Sequence, residues 1–474
     1  MTPEEFRAAG HELIDWIADY RERIPDLPVR ARVAPGEVRE SLPATPPPGR
    51  ENVGPLLRDL DQLVLPGITQ VQHPMHFGWF PSNASLASVL GDIASSGMGT
   101  LGISWESCPA LTELEEVVCD WMRQLTGLGS PWHGTIHDTA STACLTAMIL
   151  ARERAGDFCK NSSGLQGLAA PLVVYSTAEA HSSIAKAVQL AGFGNDNLRL
   201  VAADAYTRAM LPDALSAAIE DDLAAGRIPA AIVCSVGTTG TTAMDPVESI
   251  AVIANRHQVW LHVDAAMAGS AMLLPECRHL WQGVEQADSL AWNPHKWMGT
   301  ILDTALFYVR DVGHLERTMS SNPSYLRSAA DGQVTQYRDW GIPLGRRFRA
   351  LKLWFHLRLE GVAAIRARLR RDIDNARWFA GQVAAADGWE VLAPVPLQTV
   401  CIRHVPRDAA GRVLDGAALD QHTLAWVGRV NASGVALLTP ALLDGRWMVR
   451  VSIGVESTTR EHVARLWEVL QQAV

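Results

Sequence analysis

The segment Ser289-Leu290-Ala291-Trp292-Asn293-Pro294-His295-Lys296 carries a lysine just after a β-type apolar run. A lysine at a strand end inside an α/β core is unusual, because an ammonium is rarely buried without a partner. Two readings stand for it. One is a surface lysine in a turn, the commoner case. The other is an amine that condenses with an aldehyde, helped by desolvation that lowers its pKa. Upstream, HVDAAMAGS places Asp264 at the end of another β run. Strand-end aspartates are common in turns. On a strand next to Lys296, however, Asp264 supplies the carboxylate that keeps a pyridine nitrogen protonated, as pyridoxal chemistry requires. His262 lies two residues earlier on the same face; it reads as a packing residue and takes no role.

Two further groups suit the same chemistry. Asp138-Thr139-Ala140-Ser141-Thr142 precedes the helical run ACLTAMILARERA. Small hydroxyl residues there are good helix caps, and the same helix start offers backbone N–H groups to a phosphate. His181, in AEAHSSIAKA, follows the β run LVVYS and opens another helix, where a flat imidazole could stack on a cofactor ring. GMGTLG (97–102) matches a dinucleotide glycine pattern, but no β run precedes it and no suitable acidic residue follows. His73 and His76 have a ligand-like spacing with no third ligand, so no metal is expected.

The elements that must position these residues alternate. PLVVYS (171–176), AAIVCSVG (230–237), VWLHVDA (259–265) and TALFYVR (304–310) read as strands, with helices over 214–225 and 247–257 between them. Such alternation predicts a mainly parallel α/β sheet with ligands at the carboxyl ends of its strands. Before it, Thr2-Pro3-Glu4-Glu5 reads as a helix start with a capping box. Phe6, Leu13, Ile14 and Ile17 mark one face of that helix, and a Pro-rich connector follows near 42–49. From Met319 to Tyr337 periodicity fails, as in a functional or disordered connection. After Phe348 the pattern reads as one long helix, then strands at VLAPV, QTVCIRH and WMVRVSIG, then a last helix. The expected division is an N-terminal helical arm (1–79), a large α/β domain (80–350) and a small C-terminal α+β domain (351–474).

Composition agrees with a compact globular protein: 474 residues, 48% hydrophobic and 19% charged. A net charge of −10 disfavours nucleic acid, which needs a basic face. No basic patch or apolar run of membrane-spanning length appears, so no membrane association is expected. The N-terminus lacks a secretory pattern, and seven scattered cysteines form no CxxC pair. A cytoplasmic protein with reduced thiols is expected.

Taken in order, HPMHFGWFPSNAS, LGISWESCPALTELE, DTAST, AHSSIAKA, GTTGTTAMDP, WLHVDAAMAGSA, ADSLAWNPHKW, NPSYL, DWGIPLGRRFRALKLW and WMVRVSIG resemble the group II pyridoxal-phosphate decarboxylases, most closely the aromatic-L-amino-acid decarboxylases. The resemblance spans nearly the whole chain. It implies an aminotransferase-type fold (fold type I) and a homodimer with shared active sites. It also implies that Lys296 carries pyridoxal phosphate, that Asp264 pairs with the pyridine nitrogen, and that Ala266 and His181 pack on opposite ring faces. Ala140, Ser141 and Asn293 match phosphate ligands, His295 lies beside the lysine, and Thr239 falls near the cofactor and His181. Leu101, Ile103 and Gly345 match segments that the partner subunit contributes. Arg450 matches a supporting arginine near the pocket.

The same resemblance assigns Val71, Gln72, Trp79, Phe80, Pro81 and Ser82 to the side-chain pocket. Val71, Gln72 and Trp79 stand where Trp, His and Tyr are frequent in the family. Loss of a polar partner changes discrimination between hydroxylated rings. Gly345 leaves room for a large ring. The implied reaction is decarboxylation of an aromatic L-amino acid to its amine and CO2, with tryptophan, 5-hydroxytryptophan and dihydroxyphenylalanine all open. Tyr325, in NPSYL inside the aperiodic stretch, is the residue expected to protonate Cα or organise that step, on a closing lid. Related enzymes with Phe at this position are oxidative aldehyde synthases, so that reaction is the alternative. A rival of another class is a cofactor-free binding protein on a decayed catalytic fold; Lys296, Asp264, His181 and Tyr325 together argue against it.

Overall fold

The computed structural model describes residues 1–159, 163–321, 330–407 and 410–474. By their internal contacts these divide into two compact units. One comprises Ser82–Gly381 with Val391–Cys401; the other comprises Met1–Pro81, Gln382–Glu390 and Ile402–Val474.

The larger unit is built on seven strands: β1 (His133–His137), β2 (Leu172–Thr177), β3 (Leu198–Val201), β4 (Ile228–Ser235), β5 (Trp260–Asp264), β6 (Ser289–Trp292) and β7 (Ala305–Val309). Their order is β1-β7-β6-β5-β4-β2-β3. From β3 to β6 every neighbouring pair is parallel, whereas β7 runs antiparallel to both β6 and β1. The mainly parallel sheet is therefore as expected. TALFYVR is its one reversed strand, and β1 and β3 are additional to those read from the sequence. The central strands β2, β4, β5, β6 and β7 are largely buried, as expected for a sheet covered on both faces.

Helix Ala140–Ala155 lies against β1 and β4 to β7. Its buried Ala143, Cys144, Ala147, Met148 and Ala151 meet Val233, Ala291, Phe307 and Val309. The small side chains let the helix approach the sheet closely. Phe307 is fully buried, and burial of such a ring stabilises by about 1.5–3 kcal/mol.

The expected long helix is two: Ala350–Glu360 and Val362–Ala385. Gly361 separates them at φ +79°, a conformation that L side chains rarely adopt.

The second sheet has strands β8 (Trp389–Val391), β9 (Thr399–His404), β10 (Thr439–Leu443) and β11 (Arg446–Ser452), in the order β10-β11-β9-β8. β10 and β11 form a hairpin closed by Asp444-Gly445, both at positive φ (51° and 73°). Asp-Gly is the favoured pair for that turn. In the smaller unit, helix Pro3–Arg23 begins with the expected capping box of Thr2 and Glu5.

Candidate active site

Asp264 ends β5 and stands opposite Ala291 of the parallel neighbour β6. Two backbone bonds then tie the loops beyond these strands. Ala265 N–H donates to Ala291 O (2.9 Å), and Asn293 N–H donates to Ala266 O (2.8 Å). Lys296 follows in the turn Pro294–Met298 and is partly exposed, while every other residue of that turn is buried. Asp264 is 7% exposed, and its Oδ1 accepts from Ala266 N–H at 3.0 Å. The amine and the carboxylate thus share the carboxyl edge of the sheet, which is where the α/β architecture places ligands.

A phosphate-sized anion has a seat on the same edge. β1 ends at His137, and helix Ala140–Ala155 begins three residues later with Thr139 as its cap residue and no side-chain cap bond. The first intrahelical bond comes from Ala143 N–H to Thr139 O (3.1 Å). The N–H groups before it, at Ala140, Ser141 and Thr142, are those a phosphate would take. Ser141 is exposed there. Asn293 is 3% exposed, and its buried Oδ1 has no hydrogen-bond partner among the described residues.

His181 caps helix Ser182–Leu190. Its Nδ1 accepts from Ser183 N–H (3.1 Å) and lies 2.8 Å from Ser183 Oγ. That acceptor role puts the ring proton on Nε2 of the neutral ring. Partial burial and the Lys296 charge hold the imidazole below the ordinary histidine range, opposed by Asp264. The three groups therefore lie within electrostatic reach of one another. His295 is 4% exposed, and its Nδ1 accepts from Thr304 N–H (2.9 Å). Burial, aided by Lys296, holds it down at about 4.

Thr239 occupies the loop after β4, partly exposed. Val236 N–H donates to Asp264 O (2.8 Å), which brings the loop to the site. Gly237 has φ +87°, and a Cβ there would stand 2.4 Å from Ala268 Cβ, so the close approach requires glycine. Asp245 anchors the far end by accepting from Ser235 N–H and Met210 N–H, both at 2.7 Å; burial pushes its carboxyl up to about 6. His262 lies within β5, its side chain buried with Nδ1 2.9 Å from Ser289 Oγ and Nε2 3.4 Å from Cys144 Sγ, a packing position as read.

The other expected residues fall on several segments. Leu101 is 57% exposed and Gly345 is exposed, and Gly102 N–H donates to Arg346 O (3.3 Å), so the Leu101–Ile103 and Gly345 segments run side by side. Val71, Gln72, Trp79, Phe80 and Pro81 belong to the smaller unit, whereas Ser82 opens the larger one. Trp79 has φ +50°, donates its N–H to Thr439 Oγ1 (2.6 Å) and sits 5.5 Å from the His76 ring. Arg450 is 3% exposed, with its guanidinium 4.8 Å from the Phe80 ring centre. Tyr325 lies outside the described residues. Among the described residues no three His, Cys, Asp or Glu side chains converge as a metal site would require.

Sequence reasoning missed a buried ion pair beside the phosphate seat. Arg346 Nη2 donates to Glu115 Oε1 (2.5 Å), to Thr135 Oγ1 (3.2 Å) and to Ile136 O (3.0 Å). Glu115 also accepts from Ile136 N–H (2.8 Å). The available signal was Glu115 itself, which falls on the apolar face that Leu111, Val118 and Met122 define in helix Pro109–Thr126.

Pyridoxal phosphate asks a protein for an amine, a carboxylate for its ring nitrogen and donors for its phosphate. Lys296, Asp264 and the uncapped start of helix Ala140–Ala155 could answer all three, and the unpartnered Asn293 amide oxygen leaves a polar group to satisfy. The residues present fit the group.

Comparison with known proteins agrees. Residues 35–405 match the pyridoxal-dependent decarboxylase conserved domain. Tryptophan decarboxylase 2 of Oryza sativa subsp. japonica is 38% identical over 483 residues, covering 99% of this chain and 95% of that protein. Phenylacetaldehyde synthase of Arabidopsis thaliana is 38% identical over 482 residues, covering 100% and 96%. A crystal structure of Oryza sativa TDC with pyridoxal phosphate and tryptamine is similar over 100% of this chain and 98% of its own, with TM-score 0.96 and 35% identity. The sheet is accordingly that of the fold-type-I enzymes, and the chain belongs to the pyridoxal-dependent decarboxylases, with pyridoxal phosphate as its cofactor.

Proposed function

We propose that this enzyme decarboxylates an aromatic L-amino acid to the corresponding amine and CO2, as a carbon–carbon carboxy-lyase. The observation that carries the chemistry is the pairing of Asp264 with the Lys296 turn across β5 and β6. The aromatic substrate is supported by relatives named for tryptophan and for tyrosine. When bound, the cofactor supplies an electron sink for the pair released as CO2 departs.

The chain's own residues supply the rest. Lys296 would hold the cofactor through its aldehyde, Asp264 would keep a proton on the ring nitrogen, and Ala266 and His181 would lie on the two faces of the ring. Ala140, Ser141 and Asn293 seat the phosphate, with His295 and Thr239 beside it. His181 offers Nε2–H as a donor near the reacting carboxylate. Tyr325 is assigned the proton that returns to Cα. Val71, Trp79, Phe80, Pro81 and Ser82 select the ring.

We further propose a homodimer in which Leu101, Ile103 and Gly345 enter the partner's site. Its support is apolar surface left open on one chain. Phe6, Leu13 and Ile14 are exposed on the first helix, and Leu86, Leu90 and Ile93 recur at helical spacing on helix Leu86–Met98. No helix among the described residues is long and apolar enough to cross a membrane. We assign the protein to the cytoplasm on its seven scattered cysteines, which form no CxxC pair.

The second reading, oxidative conversion to an aldehyde, is favoured by the phenylacetaldehyde synthase relatives. One assay separates the two. Purified enzyme is given tryptophan, tyrosine, phenylalanine and their hydroxylated forms, and CO2, amine, aldehyde and peroxide are quantified. Amine equal to CO2 is the expected result. Aldehyde and peroxide in place of amine would move the assignment to the second reading, and no CO2 from any aromatic amino acid would end the first.

A further inference from the structure

The turn that carries Lys296 has an unusual way of satisfying its backbone. Lys296 has φ −95° and ψ −109°, which interrupts helical geometry inside Pro294–Met298. Trp297 and Met298 are fully buried, so water cannot serve their carbonyl groups. Buried carbonyls need partners, and here side chains provide them. Asn83 Nδ2 donates to Lys296 O at 3.3 Å. Arg368 donates Nη1 to Trp297 O at 3.0 Å and Nη2 to Met298 O. His356 Nε2 donates to Met298 O at 3.2 Å.

These donors come from three places in the chain: the segment before helix Leu86–Met98, helix Ala350–Glu360 and helix Val362–Ala385. One of them is itself held. Ser85 Oγ lies 2.7 Å from His356 Nδ1, so the neutral ring keeps its proton on Nε2 for Met298. Four residues after Arg368 on the same helix face, Asp372 is fully buried and accepts the Trp297 indole N–H at 3.0 Å. Gly299 leaves the space that Arg368 fills: it has φ +111°, and a Cβ there would stand 2.9 Å from Arg368 Nη2.

We propose that Arg368 is a positioning residue for Lys296. Its planar fork spans two successive carbonyls and, with Asn83 and His356, sets the main chain from which the amine projects. This rests on the reading of Lys296 as the cofactor-bearing lysine. A misplacement of about 1 Å at a reacting group can cost roughly 100-fold in rate, so a carbonyl clamp this close to the amine bears directly on its chemistry.

The test compares Arg368→Met, which removes the donors and keeps the stem, with Arg368→Lys, which keeps a charge but not the planar fork. Apoenzyme is mixed with pyridoxal phosphate, and capture is followed by the visible absorbance of the bound cofactor; the pH midpoint of that band is then titrated. Arg368→Met is expected to capture cofactor roughly 10- to 100-fold more slowly with a displaced midpoint, and Arg368→Lys to fall between it and the parent. Arg370→Met is the control for loss of a helix arginine. Arg370 pairs with the exposed Glu276 at 2.5 Å, and both readouts should stay at parent values. Parent-like capture and midpoint in Arg368→Met would overturn the proposal. If that variant fails to fold, Arg368→Lys and Asn83→Ser carry the same test, and parent-like behaviour in both would overturn it equally. Lys296→Ala distinguishes failure of the underlying reading: if it still forms a borohydride-reducible cofactor adduct, Lys296 is not the attachment point, whatever Arg368 does.

Discussion

The N–H of Asn293 donates to the carbonyl of Ala266 at 2.8 Å, joining the loop that leads to Lys296 to the loop that follows Asp264. Side chains from two strands thereby share one backbone frame. The bond explains how residues 32 positions apart in sequence can act on one small molecule, and it makes the site sensitive to changes in either loop.

Asp264→Ala should weaken the cofactor rather than the fold. A charge-assisted hydrogen bond contributes about 1.5–3 kcal/mol, so cofactor affinity should fall roughly 10- to 100-fold, with a larger loss of CO2 release. Fluorescence titration of apoenzyme with pyridoxal phosphate measures the first. Unchanged affinity and turnover would remove Asp264 from the role proposed for it.

Tyr325→Phe should leave CO2 release in place and change what accompanies it. Amine should fall, and aldehyde, ammonia and peroxide should rise. Product analysis by chromatography with a peroxide assay checks this, and undiminished amine would show that Tyr325 does not govern the proton step.

Glu115→Ala strands the Arg346 guanidinium, which is 8% exposed, without its carboxylate. Breaking a buried pair this way costs about 3–5 kcal/mol. The melting temperature should drop by several degrees, and Glu115→Gln, which keeps an acceptor, should lose less. Equal melting of all three proteins would mean that the pair contributes little.

Acid should destabilise the protein before its surface carboxylates titrate. Burial is the main cause that holds His76, His137, His262, His295 and His356 down at about 4. Between the ordinary value near 6.5 and 4 the unfolded chain binds protons that the folded chain refuses, so stability falls as pH falls through that window. Each such histidine costs about 1 kcal/mol by pH 5.5. Asp245 and Asp372, raised by burial to about 6, act in the opposite direction, because the folded state then binds the extra proton. Five groups outweigh two, so the urea midpoint should be lower at pH 5.5 than at pH 7.5. A midpoint that rises on acidification would contradict this balance.

Much of this protein was legible in its amino-acid order. The alternation of apolar runs with helical ones specified the parallel strands, because a doubly covered strand and an amphipathic helix need different side-chain periods. The Thr2–Glu5 capping box is a local hydrogen-bonding pattern and formed as read. Lys296, Asp264 and His181 were singled out because each follows a strand or opens a helix, whereas Asn293 entered with the family resemblance. Periodicity could not show that β7 runs backwards, since an antiparallel strand buried on both faces has the same apolar content as a parallel one. It could not show the break at Gly361, where a single positive φ ends one helix while the pattern of apolar residues continues. Nor could it show the roles of Arg368 and Asp372, which fall inside the long helical run read after Phe348. Their destination is set by which carbonyls the Lys296 turn leaves unserved. That is a matter of hydrogen bonds between segments tens of residues apart, and only the folded chain decides it.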